Sequence, residues 1–525
     1  MTSPQPRSEA VHRKLLLLAA VGFSAFVYYP ITRNYFYADD FLYLFQINNV
    51  PLLEFLLTPN GGHAQFARNL LFYLSYRSFG LDPHGYMWLA LLTHLINVAL
   101  LFRLILYFTG SARLACFGGM LWGTSPLSDQ TLGWYSVYGQ VVVATLILLV
   151  LVRAARAAET GRPIGRAEPY LWYLALVVAS ICFGVGTALA LVAPLVLYLV
   201  YPALFDRRAH VVLFASLLIA VPVLYVALAR LYDLVAGAAS GGASMFLMAA
   251  LRRWPEVLRM LATLFSSGLS GTALGWLDPT STSYRLWTYC VLAAYAAGSA
   301  VLLFSGSTRG KRLFGACIVL AVSGYAIIAL GRALVYAKAL TATGATSQPR
   351  YHYVTSVALV VSVCLILSHV ARWAPFRRLR NDIPLLAWVA MTLFFFMKVE
   401  QPIDHHDAAR HDTLQALDSL HALFAQPGAS DAIYVPNRTF PPVQVAEAIR
   451  SLILERAPEA AYMAPMVSFP GWAGVFITFF PENVVGGKHV YFVEADARAA
   501  AAVQARPDTR AAALIVTPGR DRPPL

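Results

Sequence analysis

The sequence predicts an all-α bundle of about eleven transmembrane helices, followed by a small α/β domain outside the membrane. The chain has 525 residues, of which 58% are hydrophobic and only 13% are charged, and its mean hydropathy is +0.60. A soluble chain of this length would carry about 25% charged residues. Apolar runs of about 20 residues recur, long enough to cross a hydrocarbon core of about 30 Å. Because lipid offers the backbone no hydrogen-bond partners, such runs cross the membrane as helices.

The apolar runs and the basic residues between them predict the topology. The spans are predicted near 15–33, 86–108, 114–127, 136–152, 170–186, 188–204, 211–230, 286–305, 313–331, 351–370 and 383–399. Every second connection is basic, with Arg113; Arg153, Arg156, Arg162 and Arg166; Arg207 and Arg208; Arg309, Lys311 and Arg312; and Arg372, Arg377, Arg378 and Arg380. Because basic loops stay in the cytoplasm, we expect a multi-pass protein of the inner (plasma) membrane with a cytoplasmic N-terminus.

This topology divides the chain into two predicted domains. Residues 1–400 form the transmembrane module, in which segment 250–264 suits either a helix in the headgroup plane or one packed on the bundle. Residues 401–525 alternate short apolar runs with an alanine-rich stretch, which predicts a periplasmic or extracellular α/β domain. Three connections of the first domain lie on the predicted outer side and are long enough to hold a site: 34–85, 231–285 and 332–350.

The net charge of +13 does not indicate nucleic-acid binding. The basic residues lie in short clusters between apolar runs, and no basic-aromatic nucleic-acid motif occurs. The five cysteines show no CxxC or Cys/His spacing, so they indicate no metal site. The composition therefore directs attention to the outer connections.

The most informative segment runs from Asn34 to Phe41, at the predicted outer end of the first span. Asp39 and Asp40 stand side by side in it, with aromatic residues on both sides. An acid at a membrane boundary is costly unless it is paired or used, so the pair is a candidate active site; the alternative is a helix end that marks the water interface. Adjacent residues on a helix point about 100° apart, so one acid can face a cavity while the other anchors the loop.

Several short segments resemble the GT-C superfamily of membrane glycosyltransferases, which includes protein O-mannosyltransferases and the aminoarabinose transferases of lipid A. In that family the first span leads to an outer loop that opens with Asp-Glu or Asp-Asp, as Asp39-Asp40 does here. The segment Ser347-Gln348-Pro349-Arg350-Tyr351-His352-Tyr353 is similar to the Arg-Tyr-x-Tyr that opens a late helix of the O-mannosyltransferases. The other segments are Gly61-Gly62-His63 to Arg68, Phe79-Gly80-Leu81-Asp82-Pro83, and His94-Leu95-Ile96-Asn97.

The resemblance implies an inverting glycosyltransferase that moves a sugar from a polyprenyl-phosphate donor to an acceptor hydroxyl on the outer face of the membrane. A carboxylate would act as the general base that takes the proton of the acceptor. By position, Asp39 matches the catalytic aspartate of the family and Asp40 its acidic neighbour. The sequence favours Asp39 as the base and leaves Asp40 as the alternative. The implied partners are the lipid-linked sugar donor, a glycan, lipid or protein acceptor, and membrane lipid.

Further candidates come from other segments. Arg350 is the candidate for the lipid phosphate, because a guanidinium binds phosphate oxygens bidentately, and Tyr351 and His352 would add hydrogen bonds. Asp129 lies between the third and fourth predicted spans and would orient the acceptor; the alternative is a solvated loop acid. Two residues of the first outer connection would also position the acceptor or the loop: His63 and Arg68.

The sequence establishes no cofactor. A divalent cation stays open as an alternative, but the acids are contiguous, unlike the Asp-x-Asp of metal-using oligosaccharyltransferases, and the ligand spacing supports no metal site. The rival function is a polytopic lipid or polysaccharide transporter or export subunit without catalytic activity. Charges within the predicted spans are few, and no pair of broken helices occurs in corresponding halves, which favours the enzyme.

Overall fold

The computed structural model describes residues 7–36, 40, 43–44, 46–47, 51–59, 64–161, 164–236, 252–275, 277, 281–336, 349–372 and 390, together with three short strands near the C-terminus. Within these residues the chain is nearly all helical. The helices are α1 Arg7–Tyr28, α2 Leu52–Leu57, α3 Phe66–Phe79, α4 Pro83–Thr109, α5 Ala112–Gly123, α6 Asp129–Leu132, α7 Tyr138–Thr160, α8 Glu168–Ser180, α9 Gly184–Val200, α10 Arg208–Ala215, α11 Leu217–Ala236, α12 Trp254–Leu274, α13 Thr282–Ser305, α14 Thr308–Tyr336 and α15 Tyr353–Val370.

Eight helices of the described chain are long and apolar enough to cross a membrane, which confirms a multi-pass helical bundle. Three predicted spans, 114–127, 170–186 and 188–204, correspond to the shorter helices α5, α8 and α9, of 12, 13 and 17 residues. The predicted span at 383–399 lies outside the described residues apart from Ala390. The number of about eleven spans therefore stays a prediction.

The second outer connection contains more helix than the sequence predicts. Segment 250–264 falls largely within α12, which continues to Leu274 and is itself one of the eight candidate spans. Val257, Met260 and Leu264 are buried at helical spacing, and the helix packs along α14. Since the buried face continues beyond residue 264, α12 is a helix packed on the bundle, one of the two alternatives that the sequence leaves open.

The centre of the bundle forms where α4 packs against α5 and α7, with α15 beside them. Trp122 is fully buried, and its Nε1 donates to the carbonyl of Tyr353 at 3.1 Å. The Tyr353 hydroxyl lies 2.8 Å from His94 Nδ1 and 3.3 Å from Asn97 Nδ2, and His94 Nε2 lies 2.9 Å from the carbonyl of Gly123. Because buried polar groups are costly without partners, these bonds fix the register of α4, α5 and α15.

Basic residues of the predicted cytoplasmic connections converge at one end of the bundle, where α4 ends and α5 and α14 begin. Arg309 pairs with Glu159 and donates to the carbonyl of Tyr107 at 3.3 Å. Arg372 donates to the carbonyl of Thr109 at 2.9 Å. We call this region the basic end, and the opposite region, where α1 ends and α4 begins, the site end.

The three strands of the C-terminal region form a parallel sheet in the order β2-β1-β3. They are β1 Ala432–Tyr434, β2 Phe476–Thr478 and β3 Val490–Phe492, and β1 pairs with both neighbours. Parallel strands need long crossover connections, usually helical, which suits an α/β domain. The other residues of 401–525 lie outside the described chain, so the domain as a whole stays a prediction.

Candidate active site

The site end is built around the connection between α5 and α7, residues 124–137. It is a chain of three short helical turns, Pro126–Ser128, α6 and Tyr135–Val137, and most of its residues are buried. Ser125 caps the first turn by accepting a hydrogen bond from the N–H of Leu127 at 3.3 Å. The hydroxyl of Tyr28, at the end of α1, donates to the Ser125 carbonyl. Such a packed connection holds its side chains in fixed positions.

Asp40 is fully buried against this connection. Its Oδ1 accepts hydrogen bonds from the N–H of Ser136 at 2.5 Å and from Ser136 Oγ at 2.6 Å. Hydrogen bonds to an ionised carboxylate are about twice as strong as neutral ones. Asp40 therefore anchors the first outer connection to the start of α7, across 96 positions of the chain.

The other acid of the pair, Asp39, and the loop histidine His63 lie outside the described residues. Their roles, as catalytic base and as positioning residue, stay predictions.

Arg68, in α3, is a buried cation near α7 and only 1% exposed. Its Nε and one terminal nitrogen donate to Gln65 Oε1, the former at 3.0 Å, and its guanidinium carbon lies 3.7 Å from the ring centre of Tyr43. The other terminal nitrogen is buried without a hydrogen-bond partner, and Arg68 forms no ion pair with any residue that the structure describes. Burying a charge without a counter-charge is expensive, which makes Arg68 a candidate site for an anion.

The close approach of Arg68 to α7 depends on Gly139. A Cβ atom at Gly139 would lie 2.8 Å from Arg68 Cγ and 2.7 Å from the carbonyl oxygen of Cys182, closer than side chains tolerate. Cys182 lies in the turn between α8 and α9. Gly139 therefore lets Arg68 and this turn approach α7 closely.

Arg350 reaches the 124–137 connection from the turn Pro349–Tyr351, just before α15. One of its terminal nitrogens donates to Gln130 Oε1 at 3.2 Å, and its guanidinium carbon lies 5.2 Å from the ring centre of Trp134 and 5.1 Å from that of Tyr351. Cation–π contacts of this kind hold a guanidinium without neutralising it. A guanidinium has five N–H donors, and among the described residues Gln130 accepts from one of them.

Two further predicted residues flank Arg350. Asp129 is half-buried, begins α6 and directly precedes Gln130, the hydrogen-bond partner of Arg350. Tyr351 is buried beneath the guanidinium. Tyr351 therefore contacts Arg350, and Asp129 neighbours its hydrogen-bond partner; the roles of both stay predictions.

His352 points elsewhere. It is fully buried, its Nδ1 lies 3.0 Å from the hydroxyl of Tyr325 in α14, and the two rings pack edge to face. Its ring thus belongs to the interior of the bundle, whereas Arg350 lies on the 124–137 connection. The observed contact of His352 is its packing against Tyr325. A role for His352 in phosphate binding stays a prediction.

The connection gathers Asp40, Asp129 and Arg350, which come from three distant segments. Sequence reasoning missed Ser136 and Trp134, which hold the first and the last of them. Small polar and aromatic residues in a short connection carry no local signal, because their partners lie 96 positions away for Ser136 and more than 200 for Trp134.

Within the described part of the chain, no three His, Cys, Asp or Glu side chains are grouped so that they could hold a metal ion. Asp39 and His63 lie outside that part of the chain.

No protein-family model matches the chain, and no curated protein matches it. The chain is similar to the crystal structure of the Archaeoglobus fulgidus oligosaccharyltransferase in complex with Zn and sulfate, with a TM-score of 0.39 and 13% sequence identity. The likeness covers 83% of this chain and 61% of that one, so the chain spans less than two thirds of the length of the similar protein. At this TM-score the likeness assigns no role to individual residues.

Proposed function

We propose that the chain is an inverting glycosyltransferase that moves a sugar from a polyprenyl-phosphate donor to an acceptor hydroxyl at the site end of the bundle. The observation that carries this proposal is the packing of one short connection, 124–137, against an anchored carboxylate and a guanidinium. Asp40 is held by Ser136, near the end of this connection, and Arg350 is held by Gln130, at its middle, and by Trp134, two residues before Ser136. General-base catalysis and phosphate binding need these two kinds of group near each other.

The hydrogen bonds of Asp40 support a division of labour within the acidic pair. A carboxylate that is fully buried and accepts two hydrogen bonds from Ser136 is suited to anchor the loop rather than to take up a proton. Neighbouring residues on a helical turn diverge by about 100°, so an anchored Asp40 favours Asp39 as the base. In the proposed reaction the Asp39 carboxylate takes the hydroxyl proton of the acceptor as the acceptor oxygen bonds to the anomeric carbon. The bond from that carbon to the phosphate oxygen breaks, and polyprenyl phosphate leaves with the electron pair.

The leaving phosphate needs stabilisation by cations. Arg350 is suited to this because, among the described residues, it is held by aromatic faces and one neutral acceptor and forms no ion pair. Arg68 is suited to it as well, because one of its buried guanidinium nitrogens has no hydrogen-bond partner among the described residues and would be stabilised by an anionic ligand. We propose that Arg350 and Arg68 bind the donor phosphate. We propose that Asp129 positions the acceptor.

The charge distribution supports the orientation. Arginines at the basic end correspond to the connections that the sequence assigns to the cytoplasm, so the site end would face outward. The N-terminus would then be cytoplasmic and residues 401–525 extracytoplasmic. Polyprenyl-phosphate sugars would meet Asp39 at the outer surface of the inner (plasma) membrane, where a glycan, lipid or protein acceptor is accessible.

The test is a transfer assay with the purified full chain in lipid nanodiscs and a panel of radiolabelled polyprenyl-phosphate sugars. Asp39→Asn should lower the transfer rate by about 10² to 10⁴, the usual contribution of a general base. Glu54→Gln, which changes another acid of the same connection, is the matched control and should leave the rate unchanged. Transfer that survives Asp39→Asn in a folded protein would overturn the assignment of the base.

A second measurement separates this enzyme from the rival transporter. If the wild-type chain transfers no sugar from any donor but moves a fluorescent polyprenyl phosphate across liposome membranes, the enzymatic proposal is wrong. An Asp39→Cys variant should react with an impermeant thiol reagent added outside the cell. Reaction only from the cytosolic side would contradict the proposed orientation.

A further inference from the structure

A polar cavity of about 490 Å³ lies at the basic end, far from the proposed active site. It is bounded by the start of α1, the turn between α4 and α5, and the end of α15. These elements lie far apart in the sequence, at residues 9–13, 109–114 and 368–372. A ligand in the cavity would therefore contact the first and the last described helices of the bundle. The lining residues are Glu9, His12, Arg13, Thr109, Gly110, Ser111, Ala112, Arg113, Leu114, Ser368, Ala371 and Arg372.

The cavity lining is positively charged. It contains three arginines, Arg13, Arg113 and Arg372, and one carboxylate, Glu9, which leaves an excess of two positive charges. Arg13 and Glu9 lie 3.6 Å apart, so that acid is already shared with one arginine. The lining hydroxyl groups add hydrogen-bonding capacity. This composition suits a phosphate group, which takes hydrogen bonds from guanidinium and hydroxyl donors.

A second cavity nearby shows that not every pocket at this end has the same character. It has a volume of about 240 Å³ and shares Arg372 with the first, but its other arginine, Arg309, is paired with Glu159. Arg309 also donates to the carbonyl of Tyr107. Local compensation of Arg309 leaves less charge for a ligand, so the larger cavity is the better anion site.

The surroundings indicate that the anion belongs to a lipid. The cavity lies at the ends of α4 and α15, both candidate spans, and therefore at the level where a membrane changes from hydrocarbon to headgroup. On α1, next to the lining residues, Val11, Leu15 and Leu18 are 56%, 59% and 64% exposed and form an apolar strip that acyl chains would cover. Basic pockets between membrane helices bind anionic headgroups in this way. We propose that this cavity binds the phosphate headgroup of an anionic phospholipid.

The experiment uses the purified full chain, delipidated in neutral detergent, and follows thermal unfolding as lipid is added. Phosphatidylglycerol should raise the Tm, whereas phosphatidylcholine at the same concentration should not. Inorganic phosphate and glycerol phosphate form the third arm. If they raise the Tm as much as phosphatidylglycerol does, the cavity is a free-phosphate site and the lipid proposal is overturned.

Variants locate the site. Each arginine near a membrane surface contributes about 1 kcal/mol to binding anionic lipid, which corresponds to roughly fivefold in affinity. Arg113→Gln should therefore weaken phosphatidylglycerol binding about fivefold, and the double change with Arg13→Gln about 25-fold. Arg207→Gln, an exposed arginine in another basic connection, is the matched control and should not change binding. Equal binding by all these proteins, or equal stabilisation by the two lipids, would overturn the proposal.

Discussion

The basic end and the site end of the bundle carry charge in different environments. At the basic end, two arginines near the surface are paired with acids, Arg309 with Glu159 and Arg153 with Glu168. At the site end, Asp40 is fully buried, and Arg68 is buried with no ion pair among the described residues. Exposed pairs contribute about 0–1 kcal/mol, whereas a buried charge without a partner costs several. We therefore expect the exposed pairs at the basic end to contribute little, and the buried charge at the site end to serve the proposed function.

The largest expected effect in this comparison is that of Arg68→Met. Methionine keeps a long unbranched side chain but removes the buried cation. If Arg68 binds donor phosphate, the transfer rate should fall by about 10² to 10³, the usual cost of losing one stabilising donor. The Tm without donor should stay the same or rise, because the desolvation cost disappears. Transfer kinetics and thermal unfolding, measured on the same preparation, check both parts.

The matched control for Arg68 is Arg153→Met at the basic end. Arg153 is 58% exposed and 3.8 Å from Glu168, so its loss should change neither transfer nor Tm appreciably. A marked fall in Tm for Arg68→Met with unchanged transfer would show that Arg68 serves packing instead.

The sequence predicts the helical bundle well and singles out candidate site residues, for a physical reason. Apolar runs have a minimum length set by the bilayer, and charged residues such as Asp40 and Arg350 stand out in a chain that is 13% charged. The short helices α5 and α8 and the longer α12 show where that rule fails, because α5 and α8 are shorter than a membrane span and α12 extends beyond segment 250–264.

The partners that hold the site could not be predicted from the sequence. Ser136 binds Asp40 across 96 positions, and Gln130 binds Arg350 across 220. Nothing in the local pattern around either residue encodes such a distance, and serine and glutamine are ordinary in a short connection. The anchoring of Asp40 by Ser136 therefore required the structure.

The next largest effect is that of Asp40→Ala on stability. The change removes the acceptor of two buried hydrogen bonds from Ser136, and each buried donor left without a partner costs about 1–3 kcal/mol. We expect a loss of about 3 kcal/mol in the free energy of unfolding, and about half of that for Ser136→Ala, which removes one donor. Chemical denaturation in detergent measures both. Asp40→Ala with unchanged stability but no transfer would indicate that Asp40 is itself the base.

A smaller effect is expected for Tyr353→Phe, in the interior between the two ends. The change removes a hydroxyl that lies 2.8 Å from His94 Nδ1 and 3.3 Å from Asn97 Nδ2. Side-chain hydrogen bonds between membrane helices contribute about 0.6 kcal/mol on average and up to about 1.7, so a loss of about 1 kcal/mol follows. Tyr289→Phe, at an exposed position on α13, is the control. A loss as large as that of Asp40→Ala would show that the interior network, and not the anchored acid, dominates the stability of the site.

The smallest effect is expected for Glu159→Gln, which tests whether an exposed ion pair at the basic end contributes to stability or to transfer. Arg309 and Glu159 are each about half exposed, so solvent screens their attraction and the pair should contribute about 0.5 kcal/mol or less. That contribution should shrink further at 1 M salt, where screening acts over about 3 Å. Because the pair compensates charge without anchoring a site residue, transfer should stay at the wild-type rate. A loss of transfer on Glu159→Gln would mean that the two ends are coupled, and charge at the basic end would then report on function as well as topology.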